Sequence, residues 1–337
     1  MKILVTGGAG YIGSHVVRLL GISGHEPIVL DDLKEGHKPA VGSARLIQGD
    51  IADPAAVDAA FSGGPIDGII HMAASCQVGE SMDNPSLYYD NNVGRMLRFL
   101  DLVQQRGVRR IVFSSTAAVY GDPLIVSGSA ATVAPPIDED HPCVPTNVYG
   151  ETKLTMERVL NWYSQRAGWS AVSLRYFNAA GADPAGEIGE DHAPETHLIP
   201  LVMKAALGLI PHLTIMGRDY PTPDGTCLRD YIHVNDLAAA HVLALAALAR
   251  IGSRFSVYNL GAQRATSVLE LISEARRVTG KTIETVDGPR RAGDPPVLLA
   301  SSHRIGRELG WKPALSDLPT ILKTAWDWHL THPEGYR

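Results

Sequence analysis

Short apolar runs alternate with helix-length stretches through the first half of the chain. The apolar runs predict strands at residues 2–5, 27–30, 45–48, 68–72, 110–113 and 171–176. Helices are predicted at residues 11–23, 55–61, 87–106 and 147–166. Repetition of strand, helix and strand implies right-handed crossovers, and strands that are apolar throughout indicate burial on both faces. We therefore predict an α/β fold built on a doubly wound parallel sheet.

The pattern changes after about Phe177, where glycine and proline become frequent and the apolar runs become short. We expect a smaller, mixed α/β domain there, with irregular loops suited to wrapping a ligand. Residues 1–177 are predicted to form the first domain and residues 178–337 the second, with residues 230–262 packing back onto the first. The stretch 123–136, rich in Ser, Ala, Gly and Pro, is predicted to be a surface loop.

Composition and charge exclude several classes of protein. The 337 residues are 45% apolar and carry a net charge of −6, which excludes a broadly basic nucleic-acid binder. Cys76, Cys143 and Cys227 form no CxxC pair, which favours a reducing compartment. The N-terminal apolar run is too short for a signal peptide, and the apolar stretch 237–248 is too short to span a bilayer. We expect a cytoplasmic protein without nucleic-acid or membrane partners and without a bound metal.

A glycine-rich segment, TGGAGYIG at residues 6–13, joins the first predicted strand to the first predicted helix. Gly7 permits the tight turn, Gly10 lets the backbone approach a pyrophosphate, and Gly13 lets the helix pack closely on the strand. The N-terminus of the helix offers free N–H groups and the positive end of its dipole to phosphates. This context predicts a dinucleotide site on a Rossmann-type sheet.

An acidic residue at the end of the second strand indicates which dinucleotide binds. Asp31 lies 24 residues beyond Gly7, where a carboxylate accepts hydrogen bonds from the adenosine ribose hydroxyls. It would repel a 2′-phosphate, and the nearest basic residue is Lys34. NAD is therefore favoured over NADP. Asp32 is an alternative for this role, and a solvated loop acid is the simpler explanation to be excluded.

Candidate redox residues lie in YGETK at residues 149–153, where Tyr149 and Lys153 are one helical turn apart. An ammonium beside a phenol is expected to lower the pKa of the phenol from about 10 toward neutrality. A tyrosinate takes the proton from a hydroxyl while NAD⁺ takes the hydride from the same carbon. This spacing is common by chance, so a catalytic role needs further support. The hydroxyls of Ser114 and Thr116 after the fifth strand provide it, because ligands of open α/β sheets bind at that edge.

These motifs together resemble the extended short-chain dehydrogenase/reductase family and, more narrowly, its UDP-glucose/UDP-galactose 4-epimerases. The resemblance runs from residue 1 to about residue 330. Beyond the glycine segment and YGETK, it is carried by the strings SSTAAVYG (114–121), YYDNNV (88–93), LRYFNAAGA (174–182), GED (189–191), HLIP (197–200), GRDYPTPDGTCLRDYIHVNDLA (217–238), YNLG (258–261) and RRAGD (290–294).

The resemblance implies that Tyr149 is the acid–base group, Lys153 modulates its pKa, and Thr116 is their hydroxyl partner. The cofactor would be NAD and the substrate a UDP-sugar. The residues implied in cofactor binding are Gly7, Gly10, Tyr11, Ile12, Gly13, Asp31, Asp50, Ile51, Met72, Ala73, Ala74, Asn91, Ser114, Tyr149, Lys153 and Tyr176. Those implied in substrate binding are Thr116, Tyr149, Asn178, His197, Leu198, Thr214, Met216, Arg229, Arg291, Asp294 and Leu298.

Within the substrate set, the resemblance implies that Arg229 and Arg291 hold the diphosphate and that Asp294 takes the uridine ribose hydroxyls. Three positions depart from the family. Cys76 stands where well-known members carry a Lys that contacts the cofactor, and His197 where an Asn is often found. Leu298 stands where some members have a Tyr against the C2 substituent of the sugar, which implies room for an N-acetyl group.

The expected activity is C4 epimerisation of UDP-glucose and UDP-galactose, with acceptance of UDP-N-acetylhexosamines as an extension. The alternative is another nucleotide-sugar epimerase or a dehydratase of the same fold. A 4,6-dehydratase needs an acid pair after Thr116, and Ala117 and Ala118 stand there instead. A non-catalytic NAD-binding protein is a third hypothesis. A homodimer is also expected, with the helices at 87–106 and 147–166 paired into a four-helix bundle.

Overall fold

The computed structural model describes residues 1–123, 136–252, 254–291 and 294–336. Most of the predicted surface loop at 123–136 lies outside the described residues. The strands are β1 Lys2–Thr6, β2 Glu26–Asp31, β3 Arg45–Gln48, β4 Gly68–His71, β5 Arg110–Thr116, β6 Ser170–Tyr176, β7 Asn178–Ala180, β8 Leu213–Met216, β9 Leu228–His233, β10 Phe255–Leu260, β11 Ala265–Ser267, β12 Thr285–Gly288 and β13 Val297–Leu298.

The helices alternate with these strands. They are α1 Tyr11–Ile22, α2 Pro54–Phe61, α3 Val78–Asp83, α4 Pro85–Tyr89, α5 Met96–Gln105, α6 Val148–Ala167, α7 Leu198–Ala206, α8 Val234–Ile251, α9 Val268–Thr279, α10 His303–Leu309 and α11 Leu318–Thr331. The predicted helix at 87–106 is interrupted, because a π-helical segment, Asp90–Arg95, joins α4 to α5.

Seven parallel strands form the main sheet in the order β3-β2-β1-β4-β5-β6-β10. The order reverses at β1, so the chain winds outward in both directions from it. The prediction of a Rossmann-type doubly wound sheet is confirmed. Strand β5 runs three residues further than predicted, so Ser114 and Thr116 belong to the strand itself.

Both faces of this sheet are covered by helices, as the apolar strands predict. Ile3 and Val5 of β1 pack into one buried cluster with residues of α1 and α8. Leu4 points to the opposite face, into a second cluster with residues of α2, α5 and α6. The second half of the chain has its own apolar cluster, built around α7, α9 and α11. There, strands β7, β11 and β13 pair with β9 in a smaller sheet.

Local signals set the ends of the helices next to the site. Asn147 precedes α6 and its Oδ1 accepts the Gly150 N–H at 2.8 Å, which caps the helix. Asp53 caps α2 in the same way, with Pro54 at its first position. Within the described ranges, no helix is both long enough and apolar enough to cross a membrane.

A buried ion pair holds α6 against the sheet. Glu157 of α6 and Arg175 of β6 have side chains only 3% and 6% exposed. Arg175 Nε donates to Glu157 Oε1 at 3.0 Å, and Nη2 donates to Oε2 at 2.5 Å. The hydroxyls of Ser115 and Ser173 donate to Glu157 Oε1 at 2.6 and 2.9 Å. One carboxylate therefore connects α6 to both β5 and β6.

Replacing Glu157 by Ala should destabilise the fold strongly, because it leaves the Arg175 charge buried without a partner. We expect Glu157→Ala to lower the free energy of unfolding by about 3–5 kcal/mol, measured by urea unfolding. The matched control on the same helix is Glu151→Ala, which removes an exposed pair to Arg158 and should change stability by about 0–1 kcal/mol. Equal effects of the two substitutions would contradict this role for Glu157.

Candidate active site

The glycine segment forms a tight turn between β1 and α1 that is open on one side. Gly7 has a φ of +72°, and a Cβ there would lie 2.5 Å from the backbone N of Ala73. A Cβ on Gly13 would lie 2.1 Å from the Gly7 carbonyl oxygen. At Gly10, the nearest atom to a Cβ is 3.5 Å away, so the backbone at the start of α1 is accessible. The turn therefore fits a pyrophosphate at the N-terminus of α1.

Asp31 ends β2 beside this turn and is 7% exposed. Its Oδ2 accepts the Ala9 N–H and its Oδ1 accepts the Leu33 N–H, both at 2.9 Å. Burial raises the pKa of Asp31, and these two hydrogen bonds oppose the rise. Lys34 contacts Asp32 at 2.7 Å instead. Asp31 is thus held rigidly where it was predicted, while Asp32 is occupied by a lysine.

Other predicted cofactor residues surround the same edge of the sheet. The N–H groups of Met72 and Ala73 donate to the Thr6 carbonyl, which holds the segment after β4 against the glycine turn. Asn91 donates to the hydroxyl of Ser75 at 2.9 Å. Of the other predicted cofactor residues, Ile51 is buried, Ile12 and Ala74 are half-buried, and the Asp50 carboxylate pairs with Arg95. Cys76, where the family often has a Lys, is exposed.

The predicted catalytic side chains meet at the carboxyl ends of β5 and β6. Thr116 and Tyr176 are register partners at the last positions of these strands. Tyr149 and Lys153 of α6 are 8% and 3% exposed. Lys153 Nζ donates to the Ser114 carbonyl at 2.9 Å and lies 5.9 Å from the centroid of the Tyr149 ring. Thr116, Tyr149 and Lys153 thus share one buried corner of the cleft.

The pKa expectation for Tyr149 is wrong for the protein chain by itself. Burial raises the pKa of Tyr149 well above 10, and the hydrogen bond with Thr116 opposes this only in part. Burial also lowers the pKa of Lys153 to about 8. The lysine is directed at the Ser114 carbonyl, and its own charge is disfavoured by burial. A further positive charge in the cleft would favour the ionised form of Tyr149.

On the substrate side, the structure joins two residues to which the sequence assigned separate roles. Arg229 of β9 is 7% exposed, and its Nη2 donates to Asp294 Oδ1 at 2.6 Å. Arg229 is also the register partner of Leu298 in β13. Leu298 is half-buried and packs on the cluster that contains Leu154 of α6. Arg291 is exposed.

The remaining predicted substrate residues are placed by the smaller sheet and α7. Asn178 Nδ2 donates to the Asp230 carbonyl at 3.0 Å. His197 immediately precedes Leu198, the first residue of α7, and its Nδ1 lies 2.9 Å from Glu190 Oε1. Strand β8 carries Thr214, which is exposed, and Met216, which is half-buried.

Sequence reasoning missed side chains that build the site without facing the ligand. Asn92 accepts the Ser75 N–H at 2.9 Å and donates to Thr152 Oγ1 of α6 at 3.2 Å, which connects the segment after β4 to α6. Its neighbour Asn91 was chosen from the same string, which does not distinguish the two. Tyr11, a predicted cofactor residue, makes a contact that the sequence did not indicate: its hydroxyl donates to the Gly181 carbonyl at 2.6 Å and so joins α1 to the second half of the chain.

Similarity to known proteins agrees with this architecture. The chain is 50% identical over 337 residues to a UDP-glucose 4-epimerase of Lacticaseibacillus casei, covering 100% of this chain and 99% of that protein. A crystal structure of the Bifidobacterium longum UDP-glucose 4-epimerase with NAD⁺ and UDP is similar at a TM-score of 0.91 and 36% identity, covering 100% of both chains. The UDP-Glc/GlcNAc 4-epimerase of Campylobacter jejuni is similar at a TM-score of 0.81 and 39% identity, covering 98% of this chain and 99% of that one.

The family assignment follows from the extent of these matches. Residues 3–261 match the NAD dependent epimerase/dehydratase family, a region that spans the glycine turn, the Tyr149–Lys153 pair and β10. The relatives cover the second half of the chain as well. The chain therefore belongs to the NAD dependent epimerase/dehydratase family.

Proposed function

We propose that this protein interconverts UDP-glucose and UDP-galactose, by oxidation at C4, rotation of the 4-keto sugar and re-reduction on the other face. The observation that carries the proposal is the meeting of Tyr149, Lys153 and Thr116 in a buried corner beside the open glycine turn. The relatives named UDP-glucose 4-epimerase support it. Its place in metabolism is then in the use of galactose.

The cofactor of the proposed reaction is NAD. Bound NAD⁺ would supply a hydride acceptor and a positive charge to the cleft that Tyr149 lines. The chain offers the N-terminus of α1 to the pyrophosphate and the Asp31 carboxylate to the adenosine ribose. With Asp31 bonded to Ala9 and Leu33, each of its oxygens keeps acceptor capacity for the ribose hydroxyls, and its negative charge disfavours a 2′-phosphate.

Tyr149 is proposed to hold and move the proton of the 4-hydroxyl. Burial raises the pKa of the phenol and so favours its protonated form. A positively charged cofactor bound in the cleft would lower that pKa again. Thr116 orients the phenol oxygen. Lys153, one helical turn after Tyr149, is anchored by its hydrogen bond to the Ser114 carbonyl. General acid–base groups of this kind contribute about 10²–10⁴-fold to turnover.

The UDP part of the substrate is proposed to be held by Arg229, Arg291 and Asp294. Arg229 has donors beyond the two that it spends on Asp294 and on the Leu228 carbonyl, so it can bind a diphosphate while the ion pair remains. A tightly held UDP lets the 4-keto sugar turn over without leaving the site. Dehydration is disfavoured, because Ala117 and Ala118 follow Thr116 and neither transfers a proton.

We also propose two units and a dimer. Residues 1–177, with 230–262, form the NAD-binding unit, since β10 belongs to the main sheet and α8 packs on α1. Residues 178–337 form the UDP-sugar unit. A homodimer through a four-helix bundle is supported by large apolar side chains exposed on α3, α4 and α6, namely Met82, Leu87, Tyr89 and Trp162. A cytoplasmic location is supported by three free cysteines.

Tyr149→Phe should lower the turnover of UDP-galactose by about 10²–10⁴-fold and leave UDP-sugar affinity nearly unchanged, because the ring keeps its volume and loses the oxygen. Steady-state kinetics and calorimetric binding separate the two effects. The control is Tyr163→Phe on the same helix, where the hydroxyl bonds Asp101 at the surface. Near-normal activity of Tyr149→Phe would show that another group is the base.

Wild-type protein should convert UDP-N-acetylglucosamine measurably, because Leu298 leaves more room than Tyr at the sugar C2 position. Discrimination by one small group is worth ~1–3 kcal/mol, so Leu298→Tyr should reduce the kcat/KM for the N-acetyl substrate relative to UDP-glucose by about 10–200-fold. UDP-glucose serves as the internal control. An unchanged ratio would mean that Leu298 does not face the sugar.

Light scattering at micromolar concentration should give the mass of a dimer. Leu87→Glu places a charge in the proposed helix bundle and should shift the protein toward monomer. Leu209→Glu is the control, since Leu209 is comparably exposed but lies after α7, away from the bundle. A monomeric wild type, or a monomer produced equally by both variants, would refute the bundle.

A further inference from the structure

Four side chains with metal-binding atoms converge just before α7. Glu190, His192, Glu195 and His197 each present one ligand atom, and these atoms all lie within 4.8 Å of one another. They come from an eight-residue stretch in which ligand types alternate as Glu-x-His-x-x-Glu-x-His. The proposed epimerase reaction uses neither carboxylate, nor does it use His192.

The spacing of these atoms fits one small cation at their centre. His192 Nδ1 lies 3.3 Å from Glu190 Oε1 and 3.7 Å from Glu195 Oε2. His197 Nδ1 lies 2.9 Å from Glu190 Oε1 and 3.1 Å from Glu195 Oε1. Zinc bonds of about 2.0–2.1 Å in a tetrahedron place neighbouring ligand atoms roughly 3.3–3.4 Å apart. These four distances bracket that value; they involve both oxygens of Glu195, and the four ligand atoms lie within 4.8 Å of one another before any ion draws them together.

The charges of the cluster also suit a cation, because a metal ion can take the place of the histidine protons as the partner of the two carboxylates. The side chains of Glu190 and Glu195 are 6% and 3% exposed. Among the described residues, the groups that pair with these carboxylates within 4 Å are the two histidines, without any lysine or arginine. Two buried carboxylates are costly unless they are paired or bind a metal.

One ligand atom has no other use in the described part of the chain. His192 Nδ1 is shielded from solvent and forms no hydrogen bond of acceptable geometry, although it points into the cluster. Glu195, in contrast, is held by the backbone, because its Oε1 accepts the N–H groups of Thr196 and His197 at 2.7 Å each. Its Oε2 lies 3.7 Å from His192 Nδ1. Outer hydrogen bonds to a ligating carboxylate, such as those to Oε1, are typical of metal sites.

We propose that Glu190, His192, Glu195 and His197 bind one divalent transition-metal ion, with zinc as the best match, in a closed structural site. Two imidazoles with two carboxylates suit zinc better than magnesium or calcium, which prefer oxygen ligands alone. The proposal departs from our expectation of no metal. The ion would not itself bind the substrate, since the four ligands fill a tetrahedral site; it would instead fix His197, which is also among the implied substrate residues.

The place of the site in the fold gives the metal its role. His197 is the residue before α7, so the ion would fix the start of the helix that carries Leu198. The ring of His192 lies 6.3 Å from that of Tyr11 in the glycine turn, and Trp328 Nε1 of α11 donates to the Glu190 carbonyl at 3.4 Å. The metal would thus stabilise residues 190–197, which contact α1 of the first half of the chain and α11 of the second.

Metal content tests the proposal directly on the full chain after removal of any affinity tag. We expect desalted protein to carry about one zinc per chain by inductively coupled plasma mass spectrometry. Chelator-treated protein titrated with zinc chloride should regain it. Loss of outer hydrogen bonds alone weakens metal sites about 10–100-fold, so His192→Ala and Glu190→Gln should weaken zinc binding by at least tenfold. The control His212→Ala removes an exposed histidine outside the cluster and should retain zinc.

Two further readouts separate lost binding from lost folding. Cobalt(II) in the wild type should show the intense visible bands of a tetrahedral site, and Glu190→Gln, which keeps its shape, should lose them. Zinc should raise the Tm of the wild type and of His212→Ala but not of His192→Ala. A wild type that neither retains nor binds zinc overturns the proposal, and so does zinc that binds the cluster variants as tightly as the wild type.

Discussion

The buried carboxylate of Glu157 is the interaction on which the geometry of the cleft depends. It is bonded by Arg175 and by the hydroxyls of Ser115 and Ser173, so α6 is locked to β5 and β6 at once. Tyr149 and Lys153 lie on that helix, and Thr116 ends one of those strands. A buried charge without its partner is strongly unfavourable, which makes this attachment all-or-none. The placement of Tyr149 relative to the end of β5 therefore depends on a contact outside the proposed active site.

Burial gives the same cleft its chemical character. Tyr149 and Lys153 are both buried. Desolvation raises the pKa of Tyr149 and lowers the pKa of Lys153, so it favours the neutral form of each. The protein by itself therefore holds the phenol protonated. Positive charge beside the ring would favour the ionised phenol, which is what the proposed reaction requires of Tyr149. An enclosed site also suits a reaction in which the oxidised intermediate must not meet water.

Besides the packing of α8 on α1 and the pairing of β10 in the main sheet, polar contacts tie the second half of the chain to the glycine turn. Tyr11, in the glycine turn, bonds the Gly181 carbonyl, and Arg18 of α1 pairs with Asp183 and Glu187. The cluster of Glu190 and its neighbours lies in the same region. The turn proposed to hold the cofactor's phosphates and the loop that leads to α7 are therefore parts of one connected structure. The two halves of the proposed ligand site are held in register there.

The sequence by itself determined the parallel fold, the glycine turn, the acid Asp31 and the pairing of Tyr149 with Lys153. Each of these depends on residues close in the chain, where the spacing of apolar and glycine positions decides the conformation. Only the tertiary structure brought Glu157 to Arg175, joined Arg229 to Asp294 across 65 positions, and turned the loop at 190–197 so that four ligand atoms meet. Those contacts depend on how packed strands and irregular loops approach one another in space. A linear pattern of hydrophobic and polar residues does not encode the path of such a loop, because its course is set by the elements packed around it.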